Sequence, residues 1–165
     1  MAGKQVLNDN FTLPLPFPAS TAISIGDLLW WDQANLVCKP AALLTPGANE
    51  AADQATFGPI FVGVAADVRL ASEADNKAIR TVIVSGVFDF DCVAGYTPAL
   101  GDIVSVTRDG GAALVNQKLT HTGVTTADAI GKVIGIPTQA PNSQPWGTVQ
   151  SRVRVNLNGR ITDFP

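Results

Sequence analysis

The sequence predicts an all-β fold: a small barrel or sandwich built from two internally repeated β-motifs, preceded by an extended Pro-rich N-terminal arm. Three observations lead there. Runs rich in β-branched and aromatic residues recur along the chain, punctuated by Gly and Pro. Helical periodicity is thin. A Gly-Asp strand motif occurs twice, as "IGDLLWW" at 25–31 and "LGDIVSV" at 100–106.

The arm comprises residues 1–21. In "FTLPLPFPAS", Pro14, Pro16 and Pro18 stand at every second position. Alternate prolines block a helix and remove backbone donors, so the segment is expected to be extended, near polyproline II. Phe11, Leu13, Leu15 and Phe17 alternate with them. This much apolar surface is expected to be covered, either by the arm's own domain or by a neighbouring subunit. On the second alternative Phe11, Leu13, Pro14, Leu15, Pro16 and Phe17 are interface residues.

The β-domain spans residues 22–165, with repeat halves at about 22–95 and 96–160. Its strands are read at "IGDLLWWD", at "IFVGVAADV" (60–68) and at "AIRTVIVSGVFDFDC" (78–92), where Gly86 marks a bulge or bend. "GDIVSVTRDGGAALVN" reads as two strands turned at Asp109-Gly110-Gly111. "AIGKVIGIP" and "TVQSRVRVNLNG" follow. Only "ANEAADQA" (48–55) suits a turn or two of helix.

The repeat extends beyond the Gly-Asp strands. "FVGVAAD" (61–67) aligns with "VIGIPTQ" (133–139), and the strand around Arg80 with that around Arg152, at offsets of 75, 72 and 72 residues. Two such halves closing on one another leave few free strand edges.

The repeat also addresses the adjacent tryptophans. Successive strand residues face opposite sides. In the second copy Val104 and Val106 suit an inner face, and Ile103, Ser105 and Thr107 an outer one. Transferred to the first copy, Leu29 and Trp31 point inward, while Leu28, Trp30 and Asp32 point outward. An outward indole beside an outward leucine is a contact patch, unless the arm or the 41–58 loop covers it. Trp146, in the loop "PNSQPWG", is a further contact candidate or a cap on one end of the barrel.

Composition bounds the function. Hydrophobic residues make up 46% of the 165, enough for a core, whereas charged residues are only 15%, below the roughly 25% usual for soluble domains. Such a surface suits coverage by a partner. The net charge is −3 and the eleven Lys and Arg are scattered, which argues against nucleic acid even with Arg80, Arg152 and Arg154 gathered by folding. "MAGKQVLNDN" lacks the apolar core of a signal peptide. No run reaches the 18 or so apolar residues of a membrane span, and a cytoplasmic origin is expected. Cys38 and Cys92 have no metal-type spacing and are read as half-buried free thiols, a single disulfide being the alternative.

Chemistry is sparse. Asp89 and Asp91 share a strand face roughly 7 Å apart, a separation usable for acid–base work or for holding a cation between subunits. Their alternation with Phe88 and Phe90 equally describes an ordinary in–out strand. His121 is the only histidine and has no nucleophile motif to serve. No P-loop, GxSxG or dinucleotide fingerprint occurs. No catalytic residue, cofactor or metal is expected.

In their order, "IGDLLWWD", "FVGVAAD", "IRTVIVSGVFDFDC", "PALGDIVSVTRDGG", "AIGKVIGIP" and "VRVNL" resemble the small β-rich decoration, or cement, proteins of tailed-phage heads. The resemblance covers about residues 22–158. It implies a homotrimer at local three-fold positions on the outside of the shell, with the major capsid protein as partner and no enzymatic activity. It also implies a place on the virion exterior after assembly in the host cytoplasm. Three rival readings are a tail or baseplate β-domain, a hydrolase or lyase using Asp89 and Asp91, and a carbohydrate-binding sandwich stacking sugar on Trp30 and Trp146.

Overall fold

The computed structural model describes residues 4–5, 11–108, 110–121, 123–136 and 152–159. Among these the chain forms a small closed β-barrel with extra strands. The strands are β1 (Lys4–Gln5), β2 (Phe11–Phe17), β3 (Leu28–Asp32), β4 (Val37–Pro40), β5 (Phe61–Ala65), β6 (Ala78–Cys92), β7 (Ile103–Val106), β8 (Lys118–Thr120), β9 (Gly131–Gly135) and β10 (Arg152–Asn158). A short 3₁₀ turn (Ala41–Leu43) and one helix, α1 (Glu50–Ile60), separate β4 from β5.

The 15-residue β6 organises the rest. Along one edge it carries β2 at residues 78–85, then β1 at 88–89, then β8 in parallel at 91–92. Along the other it carries β5 at 82–83 and β10 at 85–91. The order β6-β8-β7-β9-β10, with β10 returning to β6, closes a five-stranded ring. β5, β3 and β4 branch from the N-terminal half of β6, and β2 packs beside β4.

The two halves repeat this plan. β4-β3-β5-β6 in the first corresponds to β8-β7-β9-β10 in the second, every neighbour antiparallel. In the second ring the C-terminal half of β6 closes the circuit, antiparallel to β10 and parallel to β8. In the first, β2 stands in that place, antiparallel to β6 and, by the chain of antiparallel pairings, parallel to β4. The Pro-rich segment is therefore the closing strand of the first ring, laid down in the same chain.

The starting turns match in detail. The Ser24 N–H donates to Asp27 Oδ2 at 2.9 Å, and the Ala99 N–H to Asp102 Oδ2 at 2.9 Å. Gly26 and Gly101 occupy the third turn position with φ of 94° and 93°, a left-handed conformation that glycine adopts without penalty. Each Asp thus caps the turn that opens its strand. The h-G-h register differs from the sequence alignment. The Ala65 N–H donates to the Asp27 carbonyl, and the Val133 N–H to the Asp102 carbonyl. Gly63 therefore corresponds to Gly131, an offset of 68, and Val82 to Val155, an offset of 73. Backbone approach decides this register: a Cβ on Gly63 would lie 2.2 Å from the Ile83 carbonyl oxygen, and one on Gly131 would lie 2.6 Å from Val155 Cγ1.

Two hydrophobic clusters lie on opposite faces of β3. The larger contains Leu28, Phe57, Phe61, Phe88, Phe90, Val104, Val106, Val153 and Val155. The smaller contains Leu15, Phe17, Leu29, Trp31, Cys38, Val62 and Val82. The in–out expectation for β3 is corrected accordingly: alternation holds, but both faces are covered. β7 is corrected likewise, since Ser105 and Thr107 are as buried as Val104 and Val106. The Ser105 hydroxyl donates to the Asp128 carbonyl and the Thr107 hydroxyl to Glu50 Oε2, so burial leaves both satisfied.

Two local expectations change. The hairpin is wider than expected: β7 pairs antiparallel with β8 at Lys118–Thr120, and residues 111–117 between them form a loop, not the second strand. That loop is drawn toward the first half, where Asn116 accepts the Leu28 N–H on its carbonyl and the Ala42 N–H on Oδ1. α1 is longer than expected. Asn49 caps it by accepting the Ala52 N–H, and the Gln54 amide donates to the Val106 carbonyl, fixing the helix to β7. At Gly86 the strand continues without a break; the pairing slips instead between Phe11 and Thr12, opposite residues 83–85.

Gly63→Ala and Gly131→Ala are each expected to cost about 2–4 kcal/mol, because backbone or packed side chains must shift to admit one methyl. Chemical denaturation of the two variants checks it, with Gly111→Ala, whose added methyl meets only ordinary contact, as control.

Candidate functional site

The predicted contact residues divide between core and surface. In β2 the odd positions turn inward: Leu15 and Phe17 are buried in the smaller cluster and Leu13 packs against it. Each fully buried side chain contributes about 1.5–3 kcal/mol. Phe11 and Pro14 are exposed and Pro16 is partly exposed. The interface expectation for Leu15 and Phe17 is thus corrected in this structure, where their partners belong to the same chain. Leu28 is corrected too, being fully buried in the larger cluster. Trp30 is half-buried against that cluster; its Nε1–H donates to the Pro40 carbonyl at 3.1 Å and the Lys39 ammonium lies 5.6 Å from its ring. Trp31 packs in the smaller cluster. Trp146 lies outside the described residues.

The edges of β2 differ. The Thr81 N–H donates to Asp67 Oδ2, and its carbonyl accepts the Ala66 N–H, so Thr81 faces away from β2. Its partner Pro14 therefore occupies a site whose backbone also points away from β6, and Pro16 shares that orientation two residues on. The prolines cost the β2–β6 ladder nothing and leave the opposite edge short of donors. β8 joins β6 by a ladder, whereas β2 lies beside β4 without one among the described residues.

Each member of the acidic pair has an arginine counter-ion. Arg154 holds Asp89 through Nε at 2.9 Å, and Arg152 reaches Asp91 at 3.3 Å, each directly across the β6–β10 ladder. The arginines that looked like scattered positive charge are the counter-ions of "DFD". Bonding to Asp89 holds the Arg154 guanidinium above its ordinary pKa. These partly exposed pairs contribute on the order of 1 kcal/mol or less. His121 stacks on Tyr96 with centroids 4.2 Å apart, and the Tyr96 hydroxyl donates to Asp102 Oδ2 at 2.9 Å. Burial first, then that bonded carboxylate, raises the Tyr96 pKa well above its ordinary value.

Two polar features were not expected. Arg69 is almost fully buried beside Ile23 and donates to the Glu73 and Asp75 carbonyls, tying down the 70–77 loop. Glu73 also accepts from Arg80 and from the Leu70 N–H; that backbone bond, aided by both arginines, lowers its pKa. Between the halves lies a cleft of about 500 Å³, lined by Asp27, Ala42, Asp91, Asn116, Gln117 and Lys118 among others. Its Asp27 carboxylate is already engaged by the Ser24 N–H and the Gln117 amide at 2.7 Å. The cleft therefore reads as the seam of the duplication.

The surface residues that sequence reasoning missed are aliphatic. Ile25 is 50% exposed and Leu100 is 69% exposed, and both precede the turn glycine in the two equivalent Gly-Asp turns. Leu70 and Ile79 are each 58% exposed. A signal for the first pair was present: the residue before a turn glycine sits at the turn's tip and points outward. Comparison with family models, curated proteins and solved structures gives no match. The residues themselves carry the functional reading.

Cys38 and Cys92 are free and buried, which removes the disulfide alternative. Burial pushes both thiols up to about 12, Asp91 adding to the effect at Cys92. Neither is expected to react with a thiol reagent at pH 8 until the protein unfolds; labelling rates with and without denaturant check this. Asn116→Ala is expected to cost about 1–3 kcal/mol by stranding the Ala42 N–H, read as a lower denaturation midpoint.

Proposed function

We propose that this chain is a head decoration protein of a tailed phage. It binds the outside of the major capsid shell, as a homotrimer at three-fold positions, and holds the expanded head together. The observation that carries this reading is the repeated presentation of an exposed aliphatic residue, Ile25 and Leu100, on two rigidly capped turns of a sparsely charged barrel. A turn pinned by its own Asp loses little conformational freedom on contact, so its apolar tip suits a protein partner. The order of motifs resembling decoration proteins supports the same conclusion.

The action is physical and involves no bond chemistry. A protein that binds only the assembled, expanded lattice stabilises it by mass action. A trimer strengthens this because its second and third contacts form at high effective concentration. Trp30 is half-covered and its indole N–H is engaged, which supports a shell partner over a sugar stacked on that ring. A tail or baseplate role rests on the same exposed tips and differs only in partner.

Saturable co-sedimentation with expanded, undecorated heads, and none with unexpanded heads or tails, is the expected result. Ile25→Asp combined with Leu100→Asp is expected to weaken that binding at least tenfold with an unchanged melting midpoint. Binding to tails alone would transfer the protein to the rival structural role.

A further inference from the structure

We propose that β2 is an exchangeable strand: the groove it fills between β6 and β4 also accepts β2 from a second copy of this chain. The inference stands independently of the shell-binding reading.

The groove is apolar and specific. Leu15 and Phe17 enter it among Leu29, Trp31, Cys38, Val62, Ala65 and Val82. Its rim is the backbone of residues 78–85, which pairs with every residue of β2. The occupant is held by a ladder on that side alone, because Pro14 and Pro16 remove the donors from the other. The corresponding closing segment in the second ring is the C-terminal half of β6, continuous with the half that holds the first ring, and cannot leave on its own. On its N-terminal side β2 is flanked by β1, which β6 holds through two residue pairs alone, so β2 can leave together with β1.

The connection is built like a hinge. Beyond it the chain is anchored at Ile23, which exchanges backbone hydrogen bonds with the buried Arg69. Between Phe17 and Ile23 lie Pro18 and Ser20, and Ser20 adopts a left-handed φ of 50° without being glycine. The Ser20 N–H donates to the Glu73 carbonyl and the Thr21 hydroxyl to the Ala19 carbonyl, and these bonds fasten the hinge. A strained short hinge beside a strand held by a ladder on one edge favours exchange between copies. Extended, residues 18–22 span roughly 17 Å, enough to carry the strand off its own barrel.

The balance is simple. Every contact of β2 with its groove is the same whether the strand comes from its own chain or another. The difference is the relief of the left-handed Ser20 against the entropy lost in bringing copies together. Exchange therefore rises with protein concentration, as in an assembling array.

Pro14 and Thr81 are directly opposed, so the full-length double variant Pro14→Cys, Thr81→Cys reports whose strand fills the groove. After the protein is concentrated to the millimolar range, equilibrated and oxidised, a non-reducing denaturing gel is expected to show covalently linked copies, absent from either single variant. The linked fraction is expected to fall about fivefold or more on adding Ser20→Gly. Single-chain crosslinks alone at every concentration would overturn the proposal, and a linked fraction unmoved by Ser20→Gly would overturn the assigned hinge. The unmodified chain gives a second reading that needs no variant to fold. In a mixture of isotopically labelled and unlabelled copies, filtered NMR is expected to show Leu13 of one copy against Val82 of another, the two being directly opposed across the ladder. Such cross-peaks arising only within one copy would overturn the exchange.

Discussion

The constraint on which the structure depends is the backbone hydrogen bonding of β6. A 15-residue strand has donors and acceptors along two edges, and burial makes each unpaired one costly. β6 meets this demand by taking different partners in succession: β2, β1 and β8 on one side, β5 and β10 on the other. A strand so used belongs to two rings at once. It is the last strand of the first motif and the closing strand of the second.

That sharing explains the proline-rich arm. In the first motif residues 11–17 fill the place that β6 fills in the second. Their inward side chains correspond to those of the later segment: Leu13 is to Val82 what Phe88 is to Val155. The prolines fall where they cost the β6 ladder nothing and blunt an edge that would otherwise recruit other strands. Leu28 lies in the core and Trp30 is half-covered for a related reason. With clusters on both faces, β3 offers solvent little beyond part of that indole, and what is most exposed is the turn in front of it.

Much of the architecture was legible from local chemistry. β6 has the bounds read from its β-branched run, and the Gly-Asp turns open both motifs because only glycine suits the third turn position and Asp caps the first amide. The helix was legible only as a turn or two in "ANEAADQA", and its cap at Asn49 and its run to Ile60 were not. The exact register of the repeat was not, since "VIGIP" and "AIGKV" are equally plausible partners for "FVGVA". The choice fell to Gly131, whose missing Cβ admits Val155 and Asn156. The role of Asp89 and Asp91 was also hidden, because their counter-ions lie more than 60 residues away and only the β6–β10 register brings them opposite.

By itself the sequence determined the all-β class, the duplication, the turn geometry, the extended state of the arm and the alternation of faces within each strand. These follow from steric and hydrogen-bonding preferences that act over a few residues. Only the tertiary structure decided which faces met solvent, which chain segment closed each ring and which charges were neutralised. Those outcomes depend on pairing between distant segments: a period-two pattern distinguishes two faces of a strand but carries no information about what covers either one.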